Sequence, residues 1–555
     1  MARTYNDTMF IDTFEHEYTW LNGFMRNVRK FAQKTAIIDP EKNAGWTYKA
    51  LNECSNRLAN ALLHCGVQKN DVVMVMLANS PEFCFSYIGT RKAGAILMPV
   101  NYSLGSRELS LLMEHNKPKV LIYGCAYKDT VTQAIKSCSW QCPTYVQEDS
   151  DSTDVPVTEG HISYTDFTKN ESCENPVLSF RPHIYDEVLR LCTSGTTALA
   201  KSVPLNDINE VLSAHDVIMH YPMNNNDVTL NMTPWFHRGG CHSGGVCPTF
   251  YAGATLVVMR KFNPGKVLDY VQQHSVTFLT GVPSNLDLLC MVQQIRKCNL
   301  SSLHGIVTMG SPLTKEKCLK YMETLTPNIF NGYGTTETFW NSFLSPYNLP
   351  EKAGSAGSSC IDDEVRIVKH FADRRAEPDE IVPQDGASTG EIIIRCPEKT
   401  TYSYYGNDKE QEKKFYKGWV YTGDLGTWDS DFTVTITGRK DNMLVIAGEN
   451  VYPEQIEAAA CACPLIKDCL VTGVEDERRG QCIAAYIVPD RENKDFSIQA
   501  VKDFCTASPD LSKYKVPRYY AITDSLPYNS TGKKNRIAIK KQAAQDLKDG
   551  ILKRQ

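Results

Sequence analysis

Leu191-Cys-Thr-Ser-Gly-Thr-Thr-Ala-Leu-Ala-Lys201-Ser202 decides how the rest of this chain is read. Four hydroxyl side chains, Thr193, Ser194, Thr196 and Thr197, surround a flexible Gly195, and Lys201 follows. A polyphosphate is held by that combination of backbone N–H groups, small donors and one cation. The preceding Glu187-Val-Leu-Arg-Leu-Cys192 reads as a buried strand. The loop therefore falls at the C-terminal end of a strand, where open α/β sheets bind their ligands.

Two kinds of nucleotide chemistry use such a loop. In a P-loop NTPase the pattern is Gly-x-x-x-x-Gly-Lys-Ser/Thr. Gly195 to Ser202 fits it except that Ala200 stands at the second glycine, where a Cβ crowds the backbone around a β-phosphate. In an adenylylating enzyme the loop holds the pyrophosphate that leaves. Alone, the stretch would read as a plain Ser/Thr turn, so the remainder of the chain has to decide.

At 555 residues the chain exceeds one simple core, and two or more domains are expected. The formal charge is −5 and the longest Lys/Arg runs are short, which argues against a nucleic-acid or membrane-surface partner. Met1-Ala-Arg-Thr-Tyr-Asn-Asp7 lacks the apolar core of a signal peptide. No apolar run approaches the length of a membrane span, and Ile551-Leu-Lys-Arg-Gln555 is not a peroxisomal address. A cytoplasmic protein is expected. The 20 cysteines are scattered, and the close pairs Cys138/Cys142 and Cys461/Cys463 lack matching second pairs, which argues against zinc. Most are expected to be buried, reduced thiols used like Ala or Val.

Along the first part helix and strand alternate. Thr47 can cap a helix with Leu51, Cys54, Leu58 and Leu62 on one face. Strands are predicted at 71–77, 95–100, 119–123, 254–259, 276–280 and 305–309, and helices from Ser80-Pro81 and over 106–116. Residues 147–175 are polar and read as a surface excursion. Short strands between turns over 365–395 predict a small β subdomain, placed at about 355–437. Beyond Gly438 come a helix at 453–462, strands near 469–474 and 482–488, and a helix near 498–506. The expected class is α/β: a large N-terminal domain (1–440) of doubly wound parallel sheets and a smaller, mobile α+β C-terminal domain (441–555).

Four further segments carry chemistry. In Asn331-Gly-Tyr-Gly-Thr-Thr-Glu-Thr338, glycines 332 and 334 let the backbone approach a flat ligand, and Tyr333 can stack on a purine. Thr336 can donate to a phosphate oxygen, and Glu337 is a hard oxygen ligand suited to Mg²⁺. Taken alone, this is an ordinary strand-to-helix turn. In Tyr421-Thr-Gly-Asp424 an aspartate after a tight turn can accept both ribose hydroxyls. Gly438-Arg-Lys-Asp-Asn-Met-Leu-Val-Ile-Ala-Gly-Glu-Asn-Val-Tyr-Pro-Glu-Gln-Ile-Glu457 is the most specific of the set. Leu526-Pro-Tyr-Asn-Ser-Thr-Gly-Lys533-Lys-Asn-Arg536 presents a lysine on a glycine turn near the C-terminus.

These five segments, in this order, resemble the adenylate-forming acyl-CoA synthetases, the superfamily that also holds luciferases and peptide-synthetase adenylation domains. The likeness runs from about Thr47 to Arg536. A finer similarity to chlorobenzoate-type aryl-CoA ligases is carried by Glu364-Val-Arg-Ile-Val368, by Gly438 to Glu457 and by the stretch starting Asp503-Phe-Cys-Thr506. The resemblance implies a Mg²⁺- and ATP-dependent enzyme that converts a small carboxylic acid, medium-chain or aromatic, to its acyl-AMP and then to a coenzyme A thioester. Transfer to a separate carrier protein is the alternative. A P-loop ATPase or kinase and a nucleotide-binding protein without catalysis stand further off. A homodimer is a candidate assembly.

Residue by residue, the resemblance assigns Thr193 to Lys201 to the pyrophosphate loop. The adenine-site turn is Gly310, Ser311 and Pro312, with Tyr333, Gly334 and Thr335 beside it. Thr336 matches the α-phosphate donor, Glu337 the Mg²⁺ ligand, Asp424 the ribose ligand with Arg439 adjacent, and Lys533 the lysine bridging the acid and the α-phosphate. Asp441 matches the interdomain hinge, and the Gly448 loop is expected to line the thiol tunnel after the small domain rotates. Pro234-Trp-Phe-His-Arg-Gly-Gly240 matches the segment that gates the acid: His237 is the expected gate, with Trp235, Phe236 and Gly239 lining the pocket. Arg238 reads as a surface arginine, or as a partner for a second carboxylate. Phe339 and Trp340 read as the pocket floor or as a core cluster. The phosphate loop departs from the usual Gly-Leu-Pro-Lys-Gly, reading Ala198-Leu-Ala-Lys201-Ser202.

Overall fold

The protein is described here by a computed structural model. It covers residues 7–149, 155–193, 200–371, 373–442, 444–446, 449–476, 480–490, 493, 495–508, 511, 515–528 and 533–554. The chain divides into two compact units: 1–353 with 359–364 and 394–420, and 354–358 with 365–393 and 421–555.

The first unit is built on two sheets. One runs in the order Ile162–Ser163, Thr144–Gln147, Val120–Tyr123, Val72–Met76, Ile96–Pro99, Glu187–Thr193, Lys201–Asn206. Its pairs are parallel except the last, in which Thr193 lies opposite Lys201. The other runs Phe339–Leu344, Ile329–Thr335, Gly305–Met309, Phe278–Gly281, Val228–Asn231, Thr255–Val257, Thr35–Asp39, Ala44–Thr47. Of the pairs among these strands, Phe339–Leu344 with Ile329–Thr335 and Thr35–Asp39 with Ala44–Thr47 are antiparallel and the rest parallel. A parallel strand is covered on both faces, which is why Val72–Met76 is apolar at every position and wholly buried.

Local signals set the helix starts. Thr47 Oγ1 accepts from the Ala50 N–H (3.1 Å) and opens Tyr48–His64. Ser80 Oγ accepts from the Phe83 N–H (3.2 Å), with Pro81 in the first turn of Pro81–Lys92. The polar stretch 147–175, read as a surface excursion, carries regular elements in its described part 155–175. It supplies the edge strand Ile162–Ser163 and the helix Tyr164–Thr168, because Tyr164 and Phe167 are buried there.

One helix, Asp207–His220, was announced by no motif. Asn206 and Asn209 cap it by exchanging side-chain hydrogen bonds (3.2 and 3.1 Å). Its buried face carries Glu210, Ser213 and Asp216 beside Val211, Ala214 and Val217. Buried charges need partners. Glu210 accepts from His242 Nε2 (2.6 Å), the Tyr87 hydroxyl and Arg91, all buried. Burial pushes the Glu210 carboxyl up, but His242 and Arg91 outweigh it and hold it at about 2. Asp216 is 3.1 Å from the Lys399 ammonium, which also lies 2.9 Å from Asp363 and donates to the Trp340 carbonyl (2.6 Å).

Trp419–Trp428 pairs antiparallel with Val434–Arg439, and Gly390–Arg395 and Glu364–Val368 lie beyond it in the same sheet. The C-terminal part is an α+β layer: Ile466–Asp476, Gly480–Pro489, Tyr519–Ile522 and Lys553–Arg554 in one sheet, with helices Pro453–Cys461 and Arg536–Lys548 packed on it. Most of the cysteines are buried and all are free thiols. Burial pushes thiols in both units well above their ordinary value, Cys84, Cys241, Cys247 and Cys396 in the first and Cys469 in the second. Among the described residues no helix is long and apolar enough to cross a membrane.

Candidate active site

The segment Ile329–Thr335 does not lead into a helix. It pairs antiparallel with Phe339–Leu344, so Thr336, Glu337 and Thr338 form a hairpin tip. The two glycines are demanded by that hairpin: a Cβ at Gly334 would fall 1.4 Å from the Phe339 carbonyl oxygen, and one at Gly332 2.7 Å from Trp340 Nε1. The close approach read from the sequence is thus made by the chain itself. Phe339 has φ +61, a left-handed conformation costing a bulky residue on the order of 1 kcal/mol or more. Thr338 Oγ1 bridges Thr335 and Asn341 and tightens the tip.

Glu337 is buried, and the Tyr404 hydroxyl donates to its Oε1. Burial pushes this carboxyl up; the Lys414 charge and the Tyr404 hydrogen bond outweigh it and hold it at about 2. It is therefore an anion at neutral pH. The segment that carries Tyr404 is stitched to the strand Lys201–Asn206, through Tyr405 N–H to Ser202 O (2.9 Å) and Thr401 Oγ1 to Pro204 O (2.8 Å). Lys201 Nζ lies 2.6 Å from Glu410 Oε2 and 5.3 Å from the centre of the Tyr404 ring. Lys201 and then Lys413 hold the Glu410 carboxyl at about 2. The sequence reading missed Tyr404, Glu410 and Lys414, since Asp408-Lys-Glu-Gln-Glu-Lys-Lys414 resembles any solvated helix face. Of the loop expected from the sequence to hold pyrophosphate, Thr193 and Lys201 are described; Ser194, Gly195, Thr196 and Thr197 lie outside the described residues, as does Gly448.

Gly310, in the left-handed region at φ +75, with Ser311 and Pro312 follows the strand Gly305–Met309. Tyr333, half-buried, Gly334 and Thr335 close the neighbouring parallel strand. Both groups stand at C-terminal strand ends. The His237 segment follows a third such end. Asn231 Nδ2 donates to the carbonyls of Gly239 (3.3 Å), Gly240 (3.2 Å) and Ser243 (2.7 Å), which folds the segment back. His237 is half-buried with its ring 4.2 Å from that of Phe236, and a Cβ on Gly239 would meet the Met309 sulfur at 2.9 Å.

Three expectations need correction. Trp235 does not line a pocket: it is fully buried in the main core, edge-on to Phe83. Phe339 and Trp340 are both 3% exposed and belong to a core cluster with Tyr221, Phe278, Phe330 and Phe343. Arg238 is no surface residue. It is 3% exposed and donates to the carbonyls of Thr336 (2.7 Å) and Lys399 (2.7 Å) and to Ser213 Oγ (3.3 Å).

In the second unit Asp424 accepts from Arg439 Nη1 at 2.7 Å, after Gly423 at φ +76. Asp441 is exposed, in the turn Lys440–Asn442, 3.4 Å from Arg439. The adjacent lysines differ. Lys534 is 2.7 Å from Asp468 and donates to the Cys469 carbonyl, so it is tied into the fold. The Lys533 ammonium is held below its ordinary value: loss of hydration is the largest cause, the Asp424 charge opposes it and the Arg439 charge adds to it.

The sequence pattern of the family described as AMP-binding enzyme matches residues 24–405, and that of the AMP-binding enzyme C-terminal domain matches 455–533. The chain is 29% identical to the indoleacetate–CoA ligase of Aromatoleum aromaticum, over 92% of this chain and 95% of the relative. It is 27% identical to the long-chain-fatty-acid–CoA ligase FadD13 of Mycobacterium tuberculosis, over 91% and 95%. The fold matches the anthranilate CoA ligase AuaEII in complex with anthranoyl-AMP with a TM-score of 0.85, at 23% identity over 96% of this chain and 98% of that one. With both family patterns in place along most of its length, the chain belongs to the AMP-binding enzyme family, within the adenylate-forming acyl-CoA synthetase superfamily.

Proposed function

We propose that this chain is a Mg²⁺- and ATP-dependent acid–CoA ligase whose substrate is an aromatic or medium-chain carboxylic acid. A carboxylate oxygen attacks the α-phosphorus of ATP, pyrophosphate leaves, and acyl-AMP forms. The thiolate of coenzyme A then attacks the acyl carbonyl, and AMP leaves with the bonding electron pair. The first step brings two anions together, so its barrier is mainly one of charge.

The observation that carries this reading is the buried Glu337 carboxyl at the hairpin tip, held by Tyr404 on the same segment that anchors Lys201 through Glu410. A hard carboxylate, charged at neutral pH, fits Mg²⁺. The metal would supply charge neutralisation on the phosphates. In this reading Thr336 donates to the α-phosphate, Lys201 takes the departing pyrophosphate, and Tyr333 stacks on adenine beside Gly310. Asp424, oriented by Arg439, accepts from the ribose. Lys533 neutralises the attacking carboxylate, Asp441 is the pivot between half-reactions, and His237 borders the acid. An aromatic acid as substrate is supported by the indoleacetate–CoA ligase and by the feruloyl-CoA synthase of Amycolatopsis sp, 28% identical over 88% of this chain and 92% of that relative.

The test is product analysis with ATP, Mg²⁺ and a series of acids (benzoate, indoleacetate, hexanoate, palmitate), with and without coenzyme A. AMP and pyrophosphate released only with an acid, and a thioester only with coenzyme A, are expected. ADP and phosphate would overturn the reading. Acyl-AMP that forms but never reaches coenzyme A would point to a carrier protein instead.

A further inference from the structure

Arg238 is a buried cation to which the adenylation chemistry gives no task. Its hydrogen bonds go to two backbone carbonyls and a hydroxyl rather than to a carboxylate: Thr336 O at 2.7 Å, Lys399 O at 2.7 Å and Ser213 Oγ at 3.3 Å. Burying a guanidinium for neutral partners is costly. The nearby Glu210 and Glu337 charges offset part of that cost, and the guanidinium adds a fixed fork that a neutral side chain of the same length lacks. Its planar fork aims its donors at both carbonyls in one fixed geometry, which the point-like ammonium of a lysine does not reproduce.

The two carbonyls it joins belong to the two segments that meet at Glu337. Thr336 is the preceding residue of the hairpin tip. Lys399 lies five residues before Tyr404, whose hydroxyl holds the Glu337 carboxylate. The Lys399 ammonium grips the far side of the same tip at the Trp340 carbonyl (2.6 Å). Arg238 is itself fixed from behind, because it opens the short helix Arg238–His242 whose last residue is bonded to Glu210. The hairpin tip is thus clamped on both flanks to the Tyr404 segment, and Arg238 is the clamp next to Glu337.

We propose that Arg238 is a positioning residue: by bridging the Thr336 and Lys399 carbonyls it holds the hairpin tip against the Tyr404 segment and presents the Glu337 carboxylate to Mg²⁺ in one orientation. This rests on the reading of Glu337 as a Mg²⁺ ligand. The experiment is calorimetric titration of the full chain with ATP, once in excess Mg²⁺ and once in EDTA, for wild type, Arg238→Lys and Ser213→Ala. Wild type and Ser213→Ala should show the same tightening of ATP binding by Mg²⁺. Arg238→Lys should lose at least tenfold of that tightening, with affinity in EDTA within twofold of wild type. The Mg²⁺ concentration that half-activates adenylation should rise in parallel. Thermal unfolding checks the fold. If Arg238→Lys melts too early, Arg238→Gln, which keeps one donor and no charge, is titrated at low temperature with the same expectation. Equal Mg²⁺ tightening in wild type and variants, or equal losses with and without Mg²⁺, would overturn the proposal. A wild type whose ATP affinity ignores Mg²⁺ would sink the reading of Glu337 and this inference with it.

Discussion

Glu210→Leu removes the anion on which Arg91, His242 and Tyr87 converge. The Glu210 and His242 side chains are 0% exposed and that of Arg91 is 1% exposed, so water cannot replace the lost charge. Breaking a buried pair by deleting one partner costs about 3–5 kcal/mol. The pH dependence points the same way: against the upward push of burial, His242 and Arg91 hold the Glu210 carboxyl below its ordinary value. The sign follows from the depressed value: this stability is present above pH 4.5 and is lost as pH falls through 2. The assay is urea unfolding at pH 7 followed by tryptophan fluorescence. With a slope of about 3 kcal/mol/M, the midpoint of the transition that contains Glu210 should fall by about 1–1.7 M. The double variant Glu210→Leu/Arg91→Met removes both charges and should recover most of that loss, since apolar replacements of buried pairs are often neutral. If the single variant leaves the midpoint in place, or the double variant is no better than the single one, charge pairing is not what holds this part of the fold.

Glu398 and Asp363 make a second, opposite test. Burial and then the hydrogen bond and charge of Asp363 push the Glu398 carboxyl well above the usual carboxylate range, so folding takes up a proton and stability falls as pH rises above 4.5. Glu398→Gln mimics the protonated acid, and its melting temperature relative to wild type should climb from pH 5 to pH 9; a constant difference would refute this. Glu410→Gln frees Lys201 from an ion pair in which both side chains are 20% exposed, worth about 1 kcal/mol, so inhibition by pyrophosphate should strengthen about fivefold. Unchanged or weaker inhibition would mean that Lys201 does not meet pyrophosphate. Lys533→Ala should abolish acyl-AMP formation while sparing thioester formation from supplied acyl-AMP. Equal loss of both half-reactions would point to a folding defect.

What the sequence made legible was what is local. Apolar blocks marked the parallel strands within a residue or two, as at 71–77 for Val72–Met76, and Thr47 and Ser80 marked helix starts because a cap acts three residues away. The tip at Thr336–Thr338 was legible as a turn but not as a hairpin, because the Gly334–Phe339 contact that shapes it depends on a left-handed Phe339 that no propensity favours. Arg238 could not be placed from its neighbours: its partners Ser213, Thr336 and Lys399 are 25, 98 and 161 residues away. The buried face of Asp207–His220 left one signal unused. Glu210, Ser213 and Asp216 recur every three residues among apolar positions, a stripe that turns inward only when cations from elsewhere meet it.

The buried thiols make this chain a recorder of its own unfolding. A thiol reacts as the thiolate, and Cys84, Cys241, Cys247 and Cys396 in one unit and Cys469 in the other are held in the protonated form by their surroundings. Alkylation of these residues at neutral pH therefore waits for local opening, and the order in which they become labelled maps which layer of each unit opens first. The same thiols become ordinary nucleophiles once released. In air the opened chain can cross-link before it closes again, so its working lifetime is set by the rate of opening rather than by an equilibrium, and reductant becomes a condition of every unfolding measurement on it.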